Sequence, residues 1–412
     1  MESPFSPTPL EGPPQPRGGT SGNPSPAIGR RTLLKGALVA GASFVLPLPA
    51  SAAIRRGIGI LGYDIEGPFH YVPTSSEAVS RARRFDAIVA VESMYAANAA
   101  GMFDANPELK IACYINATHT PTDSFPEEWY CHTSTGERVR DAGVWAANYL
   151  MNPLSGWTDR MIEILQGRLE RSSYNAAYID GAGIGALNVS TPPPIDPRTN
   201  APWRDSAWTT DMVALTRRVR QTVSADVWTN GIGDADRYFD LGSAQLVPVS
   251  DRGFTEQYTR HAAWAIDRYP TTATWQRTGA MTSQIGPKYA ALTKVWVTAP
   301  QDAKDRWHRY ALTTFLLSAV PGGLYYFTSQ RATTVTPFHP YWRTARVLGA
   351  PLGSAYSVLA NGLATRAFEG GRVLCNPSST ALSWTAGRAF RGVSKGQRLT
   401  IPPYDGRMLT VV

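Results

Sequence analysis

Eight short runs of apolar, β-branched or aromatic residues alternate with stretches of helical periodicity from residue 58 onward. This alternation is typical of repeated βα units around a parallel sheet, and few other folds satisfy it. The predicted strands are Ile58 to Ile65, Phe85 to Ser93, Lys110 to Asn116, Ala176 to Gly181, Asp226 to Gly231, Pro248 to Tyr258, Lys294 to Thr298 and Gly322 to Thr328.

Amphipathic patterns predict helices over residues 155–171, 206–223 and 302–318, between these strands. The first predicted strand and its end, "GILGYDIEG", lack the glycine-rich phosphate turn of an open doubly wound sheet. The pattern therefore predicts an α/β protein with a (β/α)8 TIM barrel over residues 53–355. Long polar loops over 117–145 and 189–202 are expected to form the walls of a substrate cleft at the catalytic end of the barrel.

After Leu363 the chain changes to short alternating runs broken by Gly and Asn-Pro. Such runs are typical of antiparallel strands joined by tight turns. Residues 363–412 are therefore predicted to form a small C-terminal antiparallel β domain of sandwich type, packed on the barrel.

Residues 1–52 have the organisation of an export signal behind a disordered extension. Arg30 and Arg31 match a twin-arginine pattern, a mildly apolar stretch follows, and Ala50-Ser51-Ala52 fits a cleavage site. The alternative is a membrane anchor, but the apolar stretch is shorter than the ~20 residues of a span and contains prolines. We expect the twin-arginine export machinery as a partner, no stable membrane anchor, and a secreted or periplasmic (cell-wall space) mature protein beginning at Ala53.

The formal net charge of +8 raises nucleic acid or an anionic membrane as partners. Lys and Arg are scattered, however, and no run exceeds a pair, so we predict no nucleic-acid partner. Removal of residues 1–52 leaves 360 residues and a charge of about +6. No spacing of His or Cys indicates a metal site or cofactor, although His119 and His132 share one loop, and Cys113 and Cys131 are candidates for a disulfide.

Polar residues follow the predicted strands, at the end where barrel enzymes carry their active sites. They are Asp64 and Glu66, Glu92, Asn116, Asp180, Asn230, Glu256, Thr298 and Thr328. Asp180 precedes Gly181 and is a catalytic candidate; the alternative is that it caps the next helix or turn. Glu256 lies between Phe254 and Tyr258, where desolvation would raise its pKa, and its alternative is an ion pair with Arg252 or Arg260.

Two carboxyl groups at strand ends suit cleavage of a glycosidic bond, because one protonates the leaving oxygen and the other acts as nucleophile or base. Asp180 and Glu256 are the predicted catalytic pair. The remaining candidates for substrate binding are aromatic rings that stack on sugars and polar groups that bond hydroxyls, with core packing as the alternative for the rings. They are Tyr63, Asp64, Glu92, Asn116, Trp228, Asn230, Tyr258, Trp296 and Tyr326.

The order of "GYDIEG", "YIDGAG", "VWTNGIG", "FTEQY", "PGGLYYFTS" and "LTIPPYDGRMLTV" resembles glycoside hydrolase-like family 15, with distant likeness to endo-polygalactosaminidase barrels. The resemblance spans most of residues 57–412. It implies a catalytic barrel with a C-terminal β domain. It also implies catalytic carboxylates at Asp180 and Glu256, supported by Asp64 and Glu92.

The leading hypothesis is a secreted glycosidase acting on an extracellular or cell-wall polysaccharide, without a cofactor. Asp180 is assigned as nucleophile or base and Glu256 as general acid, and the reverse assignment stays open. The alternatives are a non-catalytic carbohydrate-binding barrel and, more remotely, a metal-dependent hydrolase such as a deacetylase.

Overall fold

The structure is a computed structural model that describes residues 57–65, 71–142, 146–190, 192–329 and 336–412. The predicted export signal at 1–52 and the candidate Glu66 lie outside these residues. Residues Ser51–Val412 belong to one compact unit.

In the described part of the chain, eight parallel strands close into a barrel in the order β1-β8-β7-β6-β5-β4-β3-β2. The strands are β1 (Gly59–Asp64), β2 (Ala87–Ala90), β3 (Lys110–Asn116), β4 (Ala176–Asp180), β5 (Asp226–Asn230), β6 (Arg252–Thr255), β7 (Tyr289–Lys294) and β8 (Leu324–Thr328). The predicted (β/α)8 barrel is confirmed.

Helices connect the barrel strands and surround them. They are α1 (Ser75–Ala82), α2 (Glu92–Tyr95), α3 (Ala99–Ala105), α4 (Trp157–Ser172), α5 (Gly185–Asn188), α6 (Asp205–Thr222), α7 (Ala235–Asp240), α8 (Thr272–Ile285), α9 (Gln301–Ser318) and α10 (Pro340–Leu348). The three helices predicted from periodicity correspond to α4, α6 and α9.

One predicted strand is wrong. Residues Lys294–Thr298 were expected to form the seventh strand, but β7 ends at Lys294. The physical reason lies in the preceding turn, where Gly286 adopts a φ of 69° and Pro287 follows, so the chain enters the sheet directly after α8. The second and sixth predicted strands are also shorter in the structure, and Glu92 begins a helix.

Side chains alternate between the inside and the outside of the barrel, as the two-residue period of a strand requires. On β3, Ala112 and Tyr114 belong to the interior cluster, whereas Ile111, Cys113 and Ile115 pack against the helices. The same alternation on every strand fills the barrel with a packed core and directs the last inward side chains toward the cleft.

The C-terminal residues form antiparallel sheets, as predicted, and these sheets are termed the β domain. Its sheets contain β9 (Ser357–Val358), β10 (Ala364–Phe368), β11 (Gly371–Asn376) and β14 (Asp405–Thr410), and separately β12 (Leu382–Thr385) with β13 (Arg398–Ile401). It packs closely on α9: a Cβ on Gly406 would overlap the side chain of Thr313. Buried Arg366 donates to the carbonyls of Leu316, Leu317 and Ala319 at the end of α9.

The three cysteines, Cys113, Cys131 and Cys375, are buried and unpaired. The candidate disulfide between Cys113 and Cys131 is therefore not formed in this structure. Cys113 occupies an outward position of β3 and packs with apolar neighbours.

Candidate active site

The last inward-facing positions of the strands bring a polar group together at the carboxyl end of the barrel. Tyr63 comes from β1, Tyr114 and Asn116 from β3, Tyr178 and Asp180 from β4, Asn230 from β5, Glu256 from the residue after Thr255 of β6, and Lys294 from β7. Their convergence follows from barrel closure, which gathers strand ends that are distant in sequence.

Asp180 is held by donors on both carboxylate oxygens. Asn230 Nδ2 (2.7 Å) and the amide of Gly181 (2.8 Å) donate to Oδ1, while Tyr114 Oη (2.8 Å) and Asn116 Nδ2 (3.4 Å) donate to Oδ2. Burial, followed by the negative charge of Glu256, nevertheless raises the pKa of Asp180. Gly181 turns here with a φ of 69°, a left-handed conformation that glycine adopts without steric cost.

Glu256 has a cationic partner, in contrast to Asp180. Lys294 Nζ lies 2.9 Å from Oε2, and the hydroxyls of Tyr63 and Tyr178 donate to Oε1. Burial acts to raise the pKa of Glu256, but Lys294 and the two tyrosines more than offset it, so that pKa is lowered. The expectation that the pKa of Glu256 is raised is wrong, because the ammonium group of Lys294 has a larger effect on it than desolvation by the apolar neighbours.

A pair of tyrosines lies between the two carboxyl groups. The rings of Tyr114 and Tyr178 stack with centroids 6.1 Å apart. The Tyr114 hydroxyl donates a hydrogen bond to Asp180, and the Tyr178 hydroxyl donates one to Glu256. Burial raises the pKa of both phenols well above the usual value, so both remain protonated donors. Asp180 and Glu256 therefore share one buried polar network, in which the charge of one carboxyl affects the other.

Lys294 is almost fully buried, and aromatic rings surround its ammonium group. Its Nζ lies 4.7 Å from the ring centroid of Tyr63 and 4.9 Å from that of Trp296. Cation–π contacts and the Glu256 ion pair together compensate for desolvation of this charge. Trp296 is half-buried, and its ring lies beside Lys294, the cationic partner of Glu256.

Three aromatic residues predicted to bind substrate instead fill the core. Trp228 stacks with Phe254 inside the barrel, and Tyr326 is fully buried in the same interior cluster. Tyr258 is fully buried against Phe315 in the layer between barrel and helices. These three predictions are corrected: the rings support the barrel and do not face the cleft, which is the alternative that the sequence left open.

Two acidic residues predicted to support the site lie elsewhere. Asp64 ends β1 in the outward register, is fully buried, and accepts hydrogen bonds from Arg81, Tyr95 and the amide of Thr336. Glu92 pairs with Arg171 of α4, at 2.6 Å and 3.1 Å. Both carboxylates stabilise packing around the barrel, because strand parity turns Asp64 away from its axis and Glu92 belongs to α2.

Tyr114, Tyr178 and Lys294 are the members of the site that sequence reasoning missed. The two tyrosines occupy the same strand face as Asn116 and Asp180, so the two-residue period was the available signal. The sequence interpretation placed Lys294 at the beginning of a strand. The Gly286-Pro287 turn indicates instead that the strand begins just after it and ends near Lys294.

The described residues contain no group of three His, Cys, Asp or Glu side chains arranged to hold a metal ion. His119 is half-buried, and desolvation lowers its pKa, whereas His132 is paired with Glu127 at 2.8 Å. Within the described ranges, no helix has both the length and the apolar character that crossing a membrane requires.

Among the comparisons with known proteins, only the comparison with solved structures finds matches. No family model and no curated protein matches the chain. The chain is similar to the glycoside hydrolase domain of PelA from Pseudomonas aeruginosa, at 13% identity and a TM-score of 0.42, covering 66% of this chain and 96% of that one. It is also similar to Aspergillus fumigatus Ega3 in complex with galactosamine, at 11% identity and a TM-score of 0.43, covering 68% and 96%.

A third similar structure is the alpha-N-acetylgalactosaminidase NagBb from Bifidobacterium bifidum, at 9% identity and a TM-score of 0.45. The match covers 78% of this chain and 56% of that one. At these identities the likeness concerns the fold, and the resemblance to glycoside hydrolase-like family 15 stays a prediction.

Proposed function

We propose that this protein is a glycoside hydrolase that cleaves an extracellular or cell-wall polysaccharide with Asp180 and Glu256. The observation that carries the proposal is a pair of electrostatically interacting carboxyl groups, at the ends of β4 and β6, whose pKa values are displaced in opposite directions. Hydrolysis of an O-glycosyl bond requires one protonated and one ionised carboxyl at the same time.

The charges around the two groups favour Asp180 as the general acid and Glu256 as the nucleophile or base. Lys294 keeps Glu256 ionised, and the resulting negative charge helps to keep a proton on Asp180. This is the reverse of the leading assignment from sequence, which placed the acid at Glu256.

The remaining site residues divide into positioning groups and one candidate sugar platform. Asn116 and Asn230 donate to Asp180, so we assign them to orienting the acid, while Tyr63 orients Glu256. Trp296 is the predicted sugar-stacking ring that retains exposed surface next to the pair. In this proposal the ring binds the sugar adjoining the scissile bond.

Release of reducing ends from a panel of neutral, amino-sugar and uronic-acid polysaccharides tests the proposal. We expect the full chain to generate new reducing ends on at least one polymer. The Asp180→Asn/Glu256→Gln double variant should generate none on that polymer while remaining folded by circular dichroism. Equal release by both proteins would refute the carboxyl-pair mechanism.

The ion pair between Glu256 and Lys294 favours one alternative, a carbohydrate-binding barrel without catalysis. In such a protein the carboxylate is committed to a structural partner and no bond is cleaved. Retention of a polysaccharide by the wild-type chain, with no reducing ends released from any polymer on the panel, would support this alternative.

Export of the protein rests on residues 30–31 and is part of the proposal. We expect the wild-type chain outside the cytoplasm and a shortened product beginning at Ala53. Arg30→Lys/Arg31→Lys should retain the full-length chain in the cytoplasm, because twin-arginine recognition requires the arginine pair. Fractionation with N-terminal sequencing measures both outcomes, and unchanged export of the double variant would contradict the assignment.

Replacement of Lys294 by Met should move the acid limb of the kcat/KM profile to higher pH. In this mechanism Glu256 must be ionised, so activity appears as the pH rises through the pKa of Glu256. Without Lys294 that pKa is higher, and the acid limb therefore moves to higher pH. Lys395→Met, at an exposed lysine of the β domain, is the control and should leave the limb in place. An unmoved limb in Lys294→Met would show that Glu256 is not the group that must ionise.

A further inference from the structure

A groove of about 500 Å³ lies where the C-terminal domain meets α9 and α10. Its lining combines barrel helices with β14 and the neighbouring turns of the β domain. The residues that matter here are Arg309, Tyr341, Arg391, Pro402, Asp405 and Arg407.

The floor of the groove is a fixed ion pair. Arg309 donates to both oxygens of Asp405 at 2.8 Å, and a third donor reaches Tyr341 Oη at 3.1 Å. This bidentate geometry holds the barrel helix and β14 in one arrangement. The groove therefore has a preformed base in which one positive and one negative charge cancel.

The rim of the groove carries uncompensated positive charge. Arg391 projects from the tight turn Phe390–Val393, and Arg407 projects from β14. Both side chains belong to exposed residues, and within the described residues neither forms an ion pair with a carboxylate. Two guanidinium groups from separate segments thus border one groove, with a surplus of two positive charges.

The groove is distinct from the catalytic cleft. Asp180 and Glu256 lie inside the barrel at strand ends, whereas Arg309 and Tyr341 line the groove from the surrounding helices α9 and α10. Tyr341 lies in the first turn of α10, which enters from the catalytic end of the barrel after β8.

We propose that this groove is an accessory binding site for an anionic polysaccharide chain. Arg391 and Arg407 supply charge-assisted hydrogen bonds to carboxylate or phosphate groups, and Tyr341 and Pro402 supply apolar surface for sugar rings. A nucleic acid fits less well, because recognition of its backbone draws on many phosphate contacts and the rim offers two arginines. The site extends the proposed function to a class of polymer, but binding in the groove does not require cleavage.

Affinity electrophoresis of the full chain at low salt tests this site. The probes are polygalacturonate for carboxylates, a phosphomannan for phosphates and dextran as the neutral polymer. We expect binding to at least one anionic polymer and none to dextran. Arg391→Gln/Arg407→Gln should weaken that binding by about tenfold, because two charge-assisted contacts are lost. The anionic polymer that is retained identifies the anionic group.

The matched control is Arg343→Gln/Arg398→Gln, which removes the same charge from exposed arginines that do not line the groove. It should reduce binding by less than twofold, and both double variants should keep the wild-type melting temperature. Equal weakening by both double variants, or no binding to either anionic polymer, would overturn the proposal. Tighter binding to oligothymidylate than to either polymer would assign the groove to nucleic acid instead.

Discussion

Asp180→Asn and Glu256→Gln are each expected to lower kcat/KM for polysaccharide hydrolysis by about 10² to 10⁴-fold, the range that a single acid–base group contributes. The two substitutions preserve shape and remove the ability to exchange or hold the required charge. Steady-state kinetics on the polymer identified by the panel give the values. Asp226→Asn and Glu92→Gln are the matched controls, because Asp226 pairs with Lys110 at the opposite end of the barrel and Glu92 pairs with Arg171.

An aryl glycoside with a good leaving group then separates the roles of the two carboxyls. Departure of a dinitrophenolate needs no proton, so Asp180→Asn should cleave this substrate far better than the polymer, whereas Glu256→Gln should remain impaired on both. The opposite pattern would restore Glu256 as the acid. Full activity of either variant on the polymer would remove that residue from the mechanism.

Arg366→Met should lower the free energy of unfolding by about 2 to 4 kcal/mol, the range for losing buried charge-assisted hydrogen bonds and leaving acceptors unpaired. Arg366 is buried, and Nη1 bonds the carbonyls of Leu316, Leu317 and Ala319 at 3.2, 3.0 and 2.7 Å. The last carbonyls of a helix have no partner within the helix, so a side chain from β10 supplies the missing donor for α9.

Urea unfolding at constant pH measures this effect, with Arg398→Met as the control. Arg398 is exposed and bonds only Ser383 among the described side chains, so its replacement should change stability by less than about 0.5 kcal/mol. Equal stability of the two variants would mean that the end of α9 does not depend on the β domain.

The barrel was predictable because its strands are short apolar runs separated by helical periodicity. Asp180 and Glu256 were predictable because they are carboxyl residues near the ends of two of those runs. Lys294 was not, since "LTKVWVT" is equally compatible with a strand that begins or ends at the lysine. Only the pairing of β7 with β8, which sets Lys294 opposite Thr328, decides between them.

Strand parity explains the remaining errors. Tyr63 and Asp64 are neighbours in "GYD", yet one faces the barrel axis toward Glu256 and the other faces Arg81 outside it. The sequence marks both as polar residues near a strand end. A shift of one residue in register exchanges their roles, and closure of the barrel fixes that register.

The unpaired state of Cys113, Cys131 and Cys375 has a consequence for where this chain can fold. Its stability draws on no covalent crosslink, so a thiol reductant should leave the unfolding midpoint unchanged. Burial raises the pKa of Cys113 to about 12, which suppresses the thiolate that oxidants attack. The native barrel is thus compatible with reducing and oxidising compartments alike, and completing it requires no enzyme that forms disulfides.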